Sequence, residues 1–164
     1  DLYKLAILLG EMISVPCDAL IKILGKDDLY YDSISKLPLL KSELCDEIVA
    51  RALLLNCVTT YYSGIWNELK SDRLSSVSWT KIDERLDNEA FNGLSKEWAK
   101  DSPLRNPYAR RQALVELDVL VAMGLGMSLE LLNSVYNIQF PVLKTYESDT
   151  WYDKKGKIVF IFSS

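Results

Sequence analysis

The densest basic stretch of the chain runs from residue 96 to 111, where Lys96, Lys100, Arg105, Asn106, Arg110 and Arg111 are interleaved with Trp98 and Tyr108. Cations, an amide and aromatic rings in close succession are the side chains that hold a phosphate backbone. Asn106-Pro107 also opens a helix, because Asn is a good cap and Pro is accepted at the first helical position. Free N–H groups at such a helix start attract anions as well. These six residues are the candidate phosphate ligands. The same stretch contains Glu97 and Asp101, so an ion-paired, solvated surface is the alternative.

No other chemistry has its residues in place. The chain has no histidine, which excludes a histidine–nucleophile pair. Cys17, Cys45 and Cys57 form no CxxC pair and lie in apolar helical contexts; they read as buried, reduced thiols. Asp83, Glu84 and Asp87 crowd together, but no Glu-x-Lys or Asp-x-Lys strand pattern of a metal-dependent nuclease accompanies them. They are expected on the solvent face of a short helix. Gly124-Leu125-Gly126 follows a helix rather than a strand, so a helix end explains it better than a dinucleotide loop. Residues 122–132 fit the helix-turn-helix apolar pattern. Residues 128–137 hold Glu130 but no Lys or Arg, so an ordinary helical hairpin is expected in place of a base-reading helix. No catalytic residue, no metal ligand and no bound cofactor is therefore expected within the chain.

The elements that must position these residues are mainly helical. Apolar residues make up 49% of the 164-residue chain and charged residues 26%, a balance that builds a core without disulfides or metal. Leu2, Leu5, Leu8, Leu9 and Met12 recur at helical spacing; Val15-Pro16 is expected to end that helix, and residues 17–24 to form a second one stopped by Gly25. Residues 26–36 are polar and turn-rich. Residues 42–70 read as one long helix capped by Ser42, in which Asn56 needs a hydrogen-bond partner. Residues 71–106 are irregular, with Trp79, Phe91 and Trp98 as anchors and short helices expected near 80–86 and 89–100. A strong helix follows from Pro107 to about Gly124, then one at 129–137 and a short helix or turn at 139–146. Thr150 to Phe162 reads as a β-hairpin around Lys154-Lys155-Gly156. The expected fold is mainly α, built on two long helices with a C-terminal β-hairpin. Its expected divisions are 1–40 (the end of a recognition-like subdomain), 41–147 (a helical core) and 148–164 (the hairpin).

Net charge is −4, opposite in sign to a stand-alone nucleic-acid binder. Any DNA contact must rest on a local basic patch or on parts outside this chain. No run reaches the ~18 apolar residues of a membrane span, and a cytoplasmic location without a membrane partner is expected. The chain opens on Asp1 and closes near the apolar run Ile158 to Phe162; both ends are read as cuts inside a longer polypeptide.

Several blocks together resemble a known group. They are Leu37-Pro38-Leu39 after Gly25; Arg51 to Thr59, reading RALLLNCVT; Ala109 to Asp118, reading ARRQALVELD; and Gln139 to Leu143, followed by Asp149-Thr150-Trp151-Tyr152-Asp153. These are similar to the C-terminal target-recognition or accessory part of large bacterial adenine-specific DNA methylases, in type IIG restriction–modification and related phage-defence systems. Asn106-Pro107-Tyr108 also looks like the Asn-Pro-Pro-Tyr element of such enzymes with one Pro missing, although helix capping accounts for it. The resemblance implies a parent that uses S-adenosylmethionine to methylate adenine and perhaps cleaves DNA. It implies DNA, reached through that parent, and the methylase core of the same chain as partners. Neither methylase core motif lies in this chain. The implied role is a non-catalytic DNA-recognition or accessory region; the alternative is a helical interaction or structural module of the same parent that never touches DNA. An independent helix-turn-helix regulator is a third, weaker reading.

Overall fold

The computed structural model describes residues 1–24, 34–35 and 37–160. Gly25 and the acidic turn residues Asp27, Asp28 and Asp32 lie outside them, as do Ile161 and Phe162 at the expected end of the hairpin.

Helix α1 (Leu2–Met12) begins at Asp1, whose carboxylate accepts from the Tyr3 and Lys4 amides. Its leucines supply the expected spacing, yet the face it buries carries Ala6, Ile7, Gly10 and Glu11. The reason is close approach. A Cβ on Gly10 would lie 2.5 Å from Ile48 Cγ2, so only a glycine lets α1 lie this near its neighbour. Ser14 then caps α2 (Val15–Ile23). The chain breaks one step earlier than the sequence suggests, and Pro16 sits in the first turn of α2, where its missing N–H is no loss.

Helix α3 (Cys45–Asn56) is the centre of the molecule, with Ile48 through Leu55 all buried. The single helix expected over 42–70 is in fact α3, a 3-10 turn (Thr60–Tyr62) and α4 (Ser63–Leu69). Tertiary partners end α3 by taking its last carbonyls. The Leu104 amide donates to Leu54 O at 2.9 Å, and Arg110 donates to Leu55 O at 2.9 Å. Beyond the helix end, the Trp98 indole donates to Cys57 O at 2.8 Å. Helix ends leave such carbonyls without internal partners, so external donors fix where the end falls. Asn56 finds its partner within the helix, donating to Ala52 O at 2.8 Å.

Residues 71–106 carry α5 (Asp72–Ser75) and a 3-10 turn (Asn92–Ser95) but no helix at 80–86 or across 89–100. Asp83 folds back onto the Arg85 amide and Asp87 onto the Glu89 amide, a local alternative that competes with helix formation. Asp83, Glu84 and Asp87 are thus turn residues, not a helical face. Phe91 and Leu94 are buried in the main core, with Trp79 and Trp98 packed against it. Trp66 is also fully buried there and its indole donates to Lys96 O at 3.0 Å.

Helix α6 (Pro107–Gly124) is the longest and packs across α3. Asn106 caps its start, with Oδ1 accepting from the Tyr108 amide at 2.9 Å and the Ala109 amide at 3.2 Å. Its end is a Schellman turn. The Gly126 amide bonds to Met123 O and the Met127 amide to Ala122 O, with Gly126 at φ +72°, a conformation glycine adopts at little cost. Helices α7 (Leu129–Gln139) and α8 (Pro141–Asp149) follow, then strands β1 (Trp151–Tyr152) and β2 (Ile158–Val159). The strands pair antiparallel, Trp151 opposite Val159. The fold is mainly helical with a small hairpin, as expected.

Of the described residues within 1–40, Ala6, Ile7 and Leu40 lie in one core with residues of α3 and α6. Helices α7 and α8 contribute nothing to that core. They dock through a separate cluster of Phe140 on Val15 and Ala19, flanked by Val135 and Tyr136. Helix α7 packs chiefly on α2 and α8, so residues 109–137 do not fold as the expected two-helix hairpin. Among the described residues no helix is long and apolar enough to cross a membrane.

Candidate nucleic-acid interface

The six candidate phosphate ligands do not form one surface. Asn106 is committed twice: Oδ1 caps α6, and Nδ2 donates to Lys155 O at 2.7 Å. The tip of the hairpin covers the start of α6, where the Tyr108 amide also bonds to Gly156 O at 3.1 Å. The helix start expected to attract anions therefore has its first amides occupied by protein acceptors.

Arg105 is exposed, but its guanidinium folds back on the chain. It donates to Val58 O at 2.7 Å and to Lys100 O at 2.8 Å. Arg110 is half-buried and donates to Leu55 O and Leu104 O. Both arginines thus supply positive charge at the end of α3, where the helix macrodipole is negative. Arg111 points elsewhere and pairs with Glu147 of α8. Lys96 and Lys100 are exposed, and among the described residues their ammonium groups pair with no carboxylate.

Lys96, Arg105 and Asn106 do line one cleft of about 570 Å³. Arg85 is its third cation, while Asp87, Glu89, Glu97 and Asp101 also face it. Three cations against four carboxylates leave the cleft at −1. That balance does not attract a polyanion.

Beside the cleft, Tyr108 sits in a closed polar knot. Its hydroxyl donates to Asp83 Oδ2 at 2.6 Å and accepts from Lys81 Nζ at 2.5 Å. The Arg85 guanidinium lies 3.7 Å over its ring, and Tyr152 of the hairpin meets it edge to face. Hydrogen bonds from Arg85, then from Tyr108, hold the Asp83 carboxyl far below the usual range. These contacts join the 81–85 turn to α6 and the hairpin. They leave neither a metal site nor a base-binding amide around Asn106-Pro107-Tyr108, and among the described residues no group of carboxylates and cysteines is arranged to hold a metal.

The most constrained polar site was not visible as a motif. Arg51 of α3 is 0% exposed and Glu116 of α6 is 4% exposed. Arg51 Nε donates to Glu116 Oε2 at 2.8 Å and Nη2 lies 2.6 Å from the same oxygen. Nη1 donates to Glu47 O and Oε2, and Nη2 also to Ser78 O. Glu116 Oε1 accepts from the Thr80 amide, the Thr80 hydroxyl and the Gln112 amide. Every guanidinium N–H has an acceptor, and both carboxylate oxygens are filled. Burial pushes the Glu116 carboxyl up, but the bonds from Thr80 and Gln112 and the charge of Arg51 outweigh it and hold it below its ordinary value. A charged residue within the apolar run from Ile48 to Leu55, as Arg51 is in α3, was the one available sign of this pair.

The resemblance blocks RALLLNCVT and ARRQALVELD meet here: Arg51 reaches Glu116, and Arg110 reaches Leu55 O. Gly124 and Gly126 close a Schellman turn at the end of α6, as a helix end and not as a dinucleotide loop. No protein family, curated protein or solved structure matches the chain.

Proposed function

We propose that this chain is a non-catalytic accessory region of a larger DNA adenine methylase or restriction enzyme, serving as a helical structural module within it. The resemblance supplies the parent; methyl transfer and its cofactor belong to another part of that parent. The observation that carries the structural role is the fate of the arginines. Arg105, Arg110 and Arg111 donate to other groups of the chain, and the cleft that Arg105 lines is net negative. Apolar side chains exposed on the outer elements, Ile138 at 72% and Phe160 at 77%, supply surface for a protein neighbour.

A second reading, direct DNA contact, is favoured by one observation: Lys96 and Lys100 are exposed and close in sequence. The two readings separate on the salt dependence of duplex binding. Fluorescence anisotropy of a labelled duplex with the 164-residue chain is expected to show weak binding with a log–log salt slope no steeper than about −2, the value for two phosphates. Lys96→Ala with Lys100→Ala abolishes it, and Arg111→Ala leaves it unchanged. A slope near −5, shared among the arginines, would overturn the structural reading in favour of DNA recognition.

A further inference from the structure

The turn after α3 holds out aromatic surface that the core does not use. Tyr61 is 89% exposed and Tyr62 44% exposed, and their rings meet edge to face at 5.4 Å. The 3-10 turn Thr60–Tyr62 fixes both on one short step of backbone, with the Tyr62 amide on Thr59 O at 3.1 Å. Thr59, Thr60 and Gly64 beside them are exposed as well, and a Cβ on Gly64 would meet nothing within 4 Å. Basic side chains adjoin this turn. Arg105 donates to Val58 O, one residue before the exposed Thr59, and to Lys100 O. It thereby stitches the loop over 100–105 to the start of the tyrosine turn.

These charges are not cancelled. Arg105 donates to carbonyls and to no carboxylate among the described residues, and the Lys100 ammonium is likewise exposed without one. The acids of the same stretch lie on the other side. Glu97 pairs with Lys70, and both Glu97 and Asp101 line the cleft, which Lys100, Tyr61 and Tyr62 do not. The loop therefore has a negative cleft side and a positive side toward the tyrosines, within a chain of net charge −4.

We propose that Tyr61, Tyr62, Lys100 and Arg105 form a binding surface for a single nucleic-acid strand. An unpaired base offers a flat π face to an exposed ring, and its phosphates meet the cations beside it. A duplex hides its base faces and offers this surface phosphates alone. A purely apolar partner would have to strip water from two cations in order to cover the rings, whereas a strand matches both. The surface goes beyond the structural role, which needs no nucleic acid, and its failure leaves that role standing.

Fluorescence anisotropy of the 164-residue chain with labelled oligo(dT), oligo(U) and a duplex of equal length, at one salt concentration, tests this. At least one of the single strands is expected to bind about fivefold or more tighter than the duplex. Tyr61→Ala is expected to weaken single-strand binding roughly tenfold and to leave duplex binding unchanged. Tyr61→Phe keeps the ring and is expected to bind as the wild type does. Lys100→Ala is expected to lower the log–log salt slope for the single strand by about 0.7. Single strands that bind no tighter than the duplex overturn the proposal, as does single-strand binding that Tyr61→Ala leaves unchanged. Tyr61 lies at the surface, so its loss tests the contact and not the fold.

Discussion

Helix α6 carries two acidic residues, Glu116 and Asp118, that face two different regions and reach opposite states. Glu116 faces α3 and receives donors from Arg51, Thr80 and Gln112; its carboxyl is held below the ordinary value. Asp118 faces α2, receives the Val15 amide, and its carboxyl is raised to about 6. Glu116 is buried and Asp118 half-buried, yet it is the more buried one that keeps its charge. The number of donors decides. A saturated carboxylate is a structural ion, whereas one with a single amide donor is poised to take a proton. The clamp between α3 and α6 is accordingly the saturated site of the molecule, and the Asp118 contact with α2 the unsaturated one.

The contrast is most sharply tested by breaking the clamp. Arg51→Ala leaves Glu116 buried with much of its neutralising charge gone and is expected to cost ~3–5 kcal/mol, read as a lower urea midpoint for the whole chain. Replacing Arg51 by Met and Glu116 by Leu together is expected to cost less than Arg51→Ala alone, because no uncompensated ion remains. Phe140→Ala comes next. It removes the apolar contact that docks α7 and α8 on α2 and is expected to cost ~2–4 kcal/mol, confined to exchange protection over 129–149. Arg110→Ala, which uncovers the carbonyls of Leu55 and Leu104, is expected to cost ~1–3 kcal/mol with no change in duplex binding by anisotropy. Equal effects of Arg51→Ala and Phe140→Ala on the two regions would erase the distinction between the clamp and the docking of α7 and α8.

The pH dependence of the two sites runs in opposite directions. Glu116 has a depressed folded value, so its contribution is present above the unfolded value and lost as pH falls through the folded one. Asp118 has a raised value, so its contribution is full below its unfolded 3.8 and lost as pH rises through about 6. Asp118→Asn is expected to flatten the stability profile between those pH values by about 1–2 kcal/mol, measured by urea denaturation at pH 4 and pH 7. The smallest effect belongs to Lys22→Ala, which removes the cation over Phe140 from an exposed site and is expected to weaken the docking of α7 and α8 by ~0.5 kcal/mol, again read by exchange over 129–149.

Much of the fold was legible because its causes are local. The Asn106-Pro107 start of α6, the glycine-bearing end of that helix and the hairpin around Gly156 each depend on residues within a few positions. The helical class followed from apolar spacing. The candidate interface was legible as composition and not as geometry: six residues near one another in sequence include three arginines, and what a guanidinium binds depends on which acceptors the fold brings within reach. Val58 O and Leu55 O came from a segment read as uninterrupted helix, so no acceptor was visible there.

The sequence by itself determined the mainly helical class, the Asn106 cap and the absence of histidine chemistry, whereas the expected Ser42 cap is not made, Leu44 opening α3 without a side-chain bond; backbone preferences and side-chain-to-backbone bonds act over one or two turns. Only the tertiary structure decided where α3 ends, that Arg51 meets Glu116 across 65 positions, and that Glu116 and Asp118 differ in charge. Those outcomes are set by which donors converge on a buried oxygen, and convergence is a property of packed elements rather than of neighbouring residues.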